Sequence, residues 1–376
     1  MHLALNAYFW NRPDTGSGQY TRQLVYHLNR FVSDLDITLI YPHAGEPEKT
    51  PSSVRVQYVA TRPGNLGKVL FEQVGFPRAC GEVRADLAHV PYWGPPLRCP
   101  IPLVVTVHDL ITLAVREYRR GLRARLYNAL VSAAARGATH VITDSRFSRD
   151  EITRRLQIPA GRITPIYLAP GAQYTAQSEM LLDMAVRQKY DLPDFYVLYL
   201  GGYALHKNVM TLLLAYTYVA QALGEEYPLL LAGNKPDPGD NFPDYDDYIR
   251  RAGLEKYVRW IGYVEEADKP ALYRNAMCFA FPSIYEGFGL PPLEAMACGV
   301  PVVTSNAASL PEVVGEAAFA LDPDDARQMA GAIISLLIQD SFAEEMKQKG
   351  LQQAAKFSWE QTATETVIVY DRLAGL

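Results

Sequence analysis

No apolar run in this 376-residue chain approaches the roughly 20 residues that cross a bilayer. Runs such as 196–200 and 229–232 are only strand-sized. The start lacks the basic opening and small-residue cleavage site of a secretory leader, because the apolar stretch 2–7 passes directly into Tyr8-Phe9-Trp10-Asn11. Cysteine is scarce and scattered. Cys80, Cys99, Cys278 and Cys298 form no C-x-x-C pair, which argues against a zinc site or a disulfide framework and for reduced, buried thiols. No Asp-x-Asp motif is followed by a metal-suited cluster, and Asp244-Tyr245-Asp246-Asp247 has the pattern of a helix start. No cofactor and no obligatory divalent metal are therefore expected. Short-period repeats and low-complexity segments are also missing. Together these absences predict a cytoplasmic globular protein.

What is present fits that class. Hydrophobic residues make up 49% and charged residues 20% of the chain, and its length suits two domains of ordinary size. The net charge of -5 is unevenly distributed. Residues 1–170 carry 21 Lys and Arg against 13 Asp and Glu, whereas the remainder carries 15 against 28. A basic first half and an acidic second half imply different ligands for the two. The basic half suits an anionic acceptor or a membrane surface. No recognised nucleic-acid module accompanies it, so nucleic acid is not expected.

Short β-branched runs alternate with helical stretches, the signature of parallel α/β sheets. Strands are predicted over 3–7, 37–41, 54–58, 87–90, 103–107 and 140–143. A second series follows over 196–200, 229–232, 258–260, 276–280, 302–304 and 318–321. Helices are predicted over 19–30 and 148–156 in the first half, the latter opened by Ser148 and Glu151 as a capping box. In the second half they fall at 209–223, 244–252, 267–274, 293–298 and 326–339. The fold class is α/β, with two Rossmann-like doubly wound domains at 1–170 and 171–357 and a link within 166–191.

In open parallel sheets ligands sit beyond the carboxyl ends of the strands. Thr15-Gly16-Ser17-Gly18-Gln19-Tyr20 follows the first strand, and Gly16 and Gly18 precede a helix whose free N–H groups suit an anion; a plain tight turn is the alternative. His108-Asp109 ends another strand, where a histidine can meet a ligand hydroxyl or be capped by its neighbour. Gly201-Gly202 leads through His206 to Lys207 at a helix start, where a cation opposes the helix dipole unless an anion offsets it. The richest segment is Glu286-Gly287-Phe288-Gly289-Leu290-Pro291-Pro292-Leu293-Glu294. Glycines there suit exposed N–H groups, the prolines suit helix entry, and Glu294 is expected in the first helical turn. Two carboxylates flanking N–H groups can take sugar and ribose hydroxyls while the N–H groups hold phosphate.

Tyr285–Val303 read as a whole, from Glu286-Gly287-Phe288-Gly289 through Cys298-Gly299-Val300-Pro301, resembles the Glu-x7-Glu signature of the retaining GT-B glycosyltransferases, and its wording is most similar to bacterial polysaccharide mannosyltransferases. Gly16-Ser17-Gly18-Gln19-Tyr20, His108-Asp109, Lys207-Asn208, Gly262-Tyr263-Val264 and Leu310-Pro311-Glu312 occur in that family's order. Phe357-Ser358-Trp359 resembles the start of a last helix, about 358–376, that returns to the first domain. The resemblance implies a GT-B fold with two domains facing across a cleft, the first binding acceptor and the second the nucleotide-sugar donor.

It implies roles residue by residue. Glu294 would bind the donor ribose and Glu286 the transferred sugar. Gly287, Phe288, Gly289 and Leu290 would present backbone to sugar and phosphate. Lys207 would neutralise the diphosphate, while Gly262, Tyr263 and Val264 would contact the base. His108 would meet the sugar near its 6-hydroxyl and reacting face, and Gly16 and Gly18 would lie near the phosphates. Candidates on the acceptor side are Tyr20, Tyr92, Trp93, Asp109, Arg119 and Arg120. Many members carry an Arg where Gly202 or His206 stands here, so Lys207 is more alone, with a protonated His206 or glycine-loop N–H groups as compensation.

The implied activity is hexosyl transfer with retention, without metal, from GDP-mannose first and a UDP-hexose second, to a glycan or lipid-linked glycan. The arginine-rich segment 116–125 could bind a lipid diphosphate or lean on the inner face of a membrane, or be a solvated helix face. Competing readings are a GT-B sugar-nucleotide epimerase, a phosphorylase, and a silent nucleotide-sugar-binding subunit.

Overall fold

A computed structural model describes residues 1–42, 45–115, 118, 122–239 and 241–375. By packing, the chain divides into two units: Met1–Leu168 with Ser358–Leu376, and Ala169–Phe357.

The first unit is built on strands β1 (His2–Asn6), β2 (Asp36–Pro42), β3 (Arg55–Val59), β4 (Leu87–Val90), β5 (Leu103–Thr106), β6 (His140–Thr143) and β7 (Ile163–Pro165). They form one sheet in the order β3-β2-β1-β4-β5-β6-β7, and every pairing is parallel. The second unit uses β8 (Val197–Leu200), β9 (Leu229–Ala232), β10 (Val258–Gly262), β11 (Cys278–Phe281), β12 (Val302–Ser305) and β13 (Phe319–Leu321). Their order is β10-β9-β8-β11-β12-β13, again wholly parallel. Both sheets are doubly wound, with the chain starting at the centre and working outward in each direction.

Sequence explains why these strands lie inside. A parallel sheet carries helices on both faces, so its strands are continuously apolar instead of alternating. All four residues are buried in β4, β5, β8, β9 and β11. Helices cover them with one apolar stripe each. In helix Gly16–Phe31, Tyr20, Leu24 and Leu28 recur every four residues and are buried.

The last helix, Trp359–Ala374, belongs to the first unit and packs on helix Gly16–Phe31. Ser358 caps it by accepting from the Gln361 N–H. Thr362 Oγ1 donates to the Tyr167 carbonyl at 2.7 Å, and Tyr370 Oη lies 2.6 Å from His89 Nδ1.

Several sequence expectations are corrected. Helix Met180–Lys189, which the sequence pattern did not predict, forms within the link segment 166–191. Ser145, not Ser148, caps helix Arg146–Leu156; its hydroxyl accepts from the Ser148 N–H, and Glu151 instead pairs with Arg154 and Arg155. Helix Leu290–Ala297 begins three residues before the expected 293, since Pro291 and Pro292 are inside its first turn. Glu294 is therefore its fifth residue and lies past the first turn.

Candidate functional site

In the second unit the candidate residues gather at the carboxyl ends of β8 and β11. After β8 the chain runs through Gly201 and Gly202 into a tight turn, Leu205–Lys207, and Asn208 in the left-handed region (φ 55°) starts helix Val209–Leu223. The loop after β11 is tied to that turn. The His206 carbonyl accepts from the Ile284 N–H at 2.8 Å and from Ser283 Oγ at 3.0 Å. This brings the tips of two loops 79 residues apart together, and Lys207 Nζ lies 2.7 Å from Glu286 Oε1. The ammonium also sits 5.3 Å from the Phe281 ring centroid. Glu286 thus supplies the counter-charge that the position of Lys207 calls for.

His206 does not play the part expected of it. Burial pushes its imidazole down to about 4, the Lys207 charge works in the same direction, and Glu286 opposes them. The ring is neutral near pH 7, so a protonated His206 is not the missing companion of Lys207 in the ligand-free chain.

The loop from Glu286 is fixed by Ser309, whose Oγ donates to the carbonyls of Glu286 (2.9 Å) and Phe288. Gly289 then turns the chain into helix Leu290–Ala297 at φ +127°, and a Cβ there would lie 2.8 Å from Leu310 Cδ2. Conformation and close approach both demand glycine. Phe288 is buried edge-on against Phe357.

Glu294 projects among tyrosines. Tyr273 Oη donates to its Oε2 at 3.2 Å, and Tyr174, hydrogen-bonded to Glu266 at 2.6 Å, is a second neighbour. Burial pushes the Glu294 carboxyl up to about 7; Lys269 pulls it down and Glu266 pushes it up. Of the residues expected at a base, Gly262 has φ +74° with open space at its Cβ position. Tyr263 is 57% exposed, whereas Val264 is in the core. Gly202 likewise faces open space.

The first unit holds the other candidates. Thr15 caps helix Gly16–Phe31, which begins three residues earlier than expected. The two glycines there differ. A Cβ on Gly16 would meet nothing within 4 Å, but one on Gly18 would fall 2.0 Å from the Arg12 carbonyl oxygen. Gly18 is therefore required by the chain's own packing, and only Gly16 faces open space.

His108 Nδ1 lies 2.8 Å from Asp144 Oδ2, and its Nε2 lies 3.3 Å from the Pro91 carbonyl oxygen. Carboxylate and carbonyl both accept, so both ring nitrogens are placed to donate, as in an imidazolium. Burial opposes that charge, but Asp144, through charge and hydrogen bond, and then Asp109 raise the pKa above the ordinary histidine value. Asp144 escaped the sequence reading. It ends β6 as His108 ends β5, and the parallel register Thr106↔Ile142 carries on to place 108 beside 144.

Tyr20 is an interior residue, with its hydroxyl 3.2 Å from Thr106 Oγ1 and its ring edge-on to His108. Tyr92 is buried as well, and Trp93 is half-buried. Asp109 accepts from the Ile111 N–H at 2.9 Å, in the turn that leads into the short helix Ile111–Ala114, whose N-cap is Leu110. Arg119 and Arg120 lie outside the described residues. Among the described residues, no three His, Cys, Asp or Glu side chains converge as metal ligands do, and no helix is long and apolar enough to cross a membrane.

Two doubly wound parallel sheets in series, the second carrying a lysine and two glutamates at the carboxyl ends of its strands, define the GT-B class of glycosyltransferases. Comparison with known proteins specifies the family. Residues 185–353 match the family model described as glycosyl transferases group 1, and residues 15–169 match that of glycosyltransferase family 4. The O-antigen chain mannosyltransferase B of Escherichia coli is 35% identical over 374 residues, covering 96% of this chain and 97% of that protein. The serotype-specific mannosyltransferase WbdA, also from E. coli, is 32% identical over 73% of this chain and 34% of its own length. Among solved structures, sucrose-phosphate synthase from Thermosynechococcus elongatus superposes with a TM-score of 0.79 at 22% identity over 99% of each chain. Anabaena HepE in complex with UDP gives 0.74 at 18% identity, over 99% of this chain and 100% of that one. The chain belongs to the group 1 glycosyltransferases.

Proposed function

We propose that this glycosyltransferase moves mannose from GDP-mannose, with retention of anomeric configuration and without a metal ion, onto a hydroxyl of a glycan or lipid-linked glycan. The observation that carries this reading is the Lys207–Glu286 contact with Glu294 on the helix behind it. The names of two similar E. coli proteins favour mannose, one of them matched along nearly its whole length.

Breaking the anomeric bond builds positive charge on the sugar and negative charge on the nucleotide. A fixed cation aimed at the leaving oxygens offsets the latter. In this reading Lys207 exchanges Glu286 for the donor diphosphate, and Glu286 is released to accept hydrogen bonds from mannose hydroxyls. One contact thereby keeps both groups in place before the donor arrives and redistributes them afterwards. Glu294 accepts from the ribose hydroxyls. The acceptor attacks from the face the nucleotide leaves, and the departing phosphate takes the acceptor's proton.

The test is the proton NMR of the first product formed from GDP-mannose and an α-mannoside acceptor, in EDTA. An α-mannosyl linkage formed at an undiminished rate is expected. A β-linkage would overturn retention, and dependence on added Mg2+ or Mn2+ would overturn metal independence.

A further inference from the structure

Two polar side chains with unanswered atoms, Asn6 and Glu72, meet at Tyr92 in the first unit, beyond the carboxyl ends of β1 and β4. Asn6 ends β1 fully buried. Its Oδ1 accepts from the Tyr8 N–H at 3.0 Å and from Tyr92 Oη at 3.3 Å, but its Nδ2 has no partner among the described residues. Glu72 is also wholly buried, on a π-helical turn, Phe71–Gly75, that breaks the regular helical spacing. Neither of its oxygens completes a hydrogen bond among the described residues. Lys68 Nζ stops 3.6 Å from Oε1, and the hydroxyls of Tyr92 and Tyr127 lean towards the carboxylate without reaching bonding geometry. Buried polar atoms are ordinarily satisfied, so a cluster of exceptions calls for an occupant or bridging water. Glu72 and Tyr92 pack closely on Gly94, since a Cβ there would lie 2.7 Å from Glu72 Oε1 and 2.5 Å from a Tyr92 ring carbon, so a larger residue would push the carboxylate aside.

Above Glu72 stands an aromatic collar. Lys68 Nζ lies 5.2 Å from the ring centroid of Phe9, 5.3 Å from Tyr127, 5.6 Å from Tyr92 and 5.7 Å from Tyr8. It donates to Tyr127 Oη at 3.2 Å, and its side chain keeps 23% exposure. Tyr8 and Phe9 are half-buried, and the exposed Arg12 lies at their rim, 5.9 and 5.8 Å from their centroids.

We propose that this collar is a subsite for a hexose ring of the acceptor saccharide, with Lys68 as the contact residue and Glu72 as the positioning residue beneath it. The inference rests on the reading of the chain as a glycosyltransferase with a glycan acceptor. A pyranose has an apolar C–H face for Tyr8 and Phe9 and hydroxyls for the remaining Lys68 protons. A nucleobase fits less well, because the Tyr8–Phe9 and Phe9–Tyr92 ring pairs stand at 77° and 85° and leave no parallel slot. A free anion is disfavoured by the carboxylate under the ammonium, and an organic cation by the ammonium already inside the collar. Burial pushes the Glu72 carboxyl up to about 7 against the pull of Lys68, Tyr92 and Tyr127, with Tyr8 also facing it. The charge under Lys68 therefore changes between pH 6 and 8.

The test is saturation-transfer NMR of the full chain with methyl α-D-mannopyranoside and an α-linked mannobiose, beside calorimetry with GDP-mannose. Ring-proton saturation is expected in the unmodified chain. It should fall at least fivefold in Lys68→Met and in Phe9→Ala, and be retained in Lys68→Arg. Its dependence on pH between 6 and 8 should disappear in Glu72→Gln. GDP-mannose affinity should stay unchanged in every variant, which also shows that each is folded. No saccharide signal in the unmodified chain, or equal signals in Lys68→Met and Phe9→Ala, would overturn the subsite. Failure of GDP-mannose to bind the unmodified chain would instead overturn the donor reading.

Discussion

Donor binding should depend on pH through Glu294. Its carboxyl is held up to about 7 by burial and by Glu266, against Lys269 and the hydroxyls of Tyr273 and Tyr174. A carboxylate that accepts hydrogen bonds from ribose hydroxyls must be ionised to serve as acceptor at both oxygens. In the free chain that form is a minority below pH 7. The apparent dissociation constant then scales as one plus the protonated-to-ionised ratio, about 11 at pH 6 and about 1.1 at pH 8. Affinity for GDP-mannose should therefore rise about tenfold from pH 6 to pH 8, worth ~1.4 kcal/mol. The diphosphate of a nucleotide sugar does not titrate in this window, and His206, near 4, is already neutral throughout it. Isothermal titration calorimetry at pH 6, 7 and 8 reads the effect directly, with proton release on binding as an internal check. Glu294→Gln keeps the shape, loses the charge and should flatten the profile. A pH-independent affinity in the unmodified chain, or an unchanged slope in Glu294→Gln, would refute the reasoning.

Other substitutions test separate parts of the structure. Glu286→Ala frees Lys207, so affinity for GDP should hold or rise while transfer collapses; Lys207→Ala should weaken GDP about 10- to 100-fold, and loss of GDP binding in Glu286→Ala would contradict the exchange of partners. Gly18→Ala should cost about 2 kcal/mol or more in urea unfolding, because its Cβ would fall 2.0 Å from the Arg12 carbonyl, whereas Gly16→Ala should be within about 0.5 kcal/mol of the parent. Asp144→Asn should lower the His108 titration midpoint seen by NMR. Because Asp144 raises the native pKa of His108, this pair stabilises the fold fully below the ordinary histidine range, and the stabilisation is lost as pH rises through the raised value. Asp144→Asn should remove that part of the pH dependence, and an unmoved His108 midpoint would show that the pair carries no charge coupling.

The parallel sheets were legible because most of their strands are short, largely apolar runs punctuated by turns. The stretches 87–90, 140–143, 229–232 and 209–223 have the bounds expected from pattern alone. What escaped was structure without a clean period. Helix Leu122–Gly137 has exposed Leu122 and Leu126 on its surface, which blurs its apolar stripe. The π turn holding Glu72 shifts register by one residue, so helical spacing does not place that carboxylate. In the donor region, the segment containing Glu286 and Glu294 stood out by its glycines and prolines, but the direct contact of Glu286 with Lys207 did not. That contact depends on the His206 carbonyl bridging two loops. Asp144 was missed because it meets His108 only through the sheet, and Tyr273 because it meets Glu294 only where helices Lys269–Arg274 and Leu290–Ala297 pack together.

The donor site is the claim on which the rest depends, and calorimetric titration of the purified chain with GDP-mannose, UDP-glucose, UDP-GlcNAc and ADP-glucose tests it most directly, with Glu294→Ala as control. GDP-mannose should bind tightest, and Glu294→Ala should weaken it by about tenfold or more. Binding of no nucleotide sugar, or equal affinity in Glu294→Ala, would contradict a donor site built on Lys207, Glu286 and Glu294.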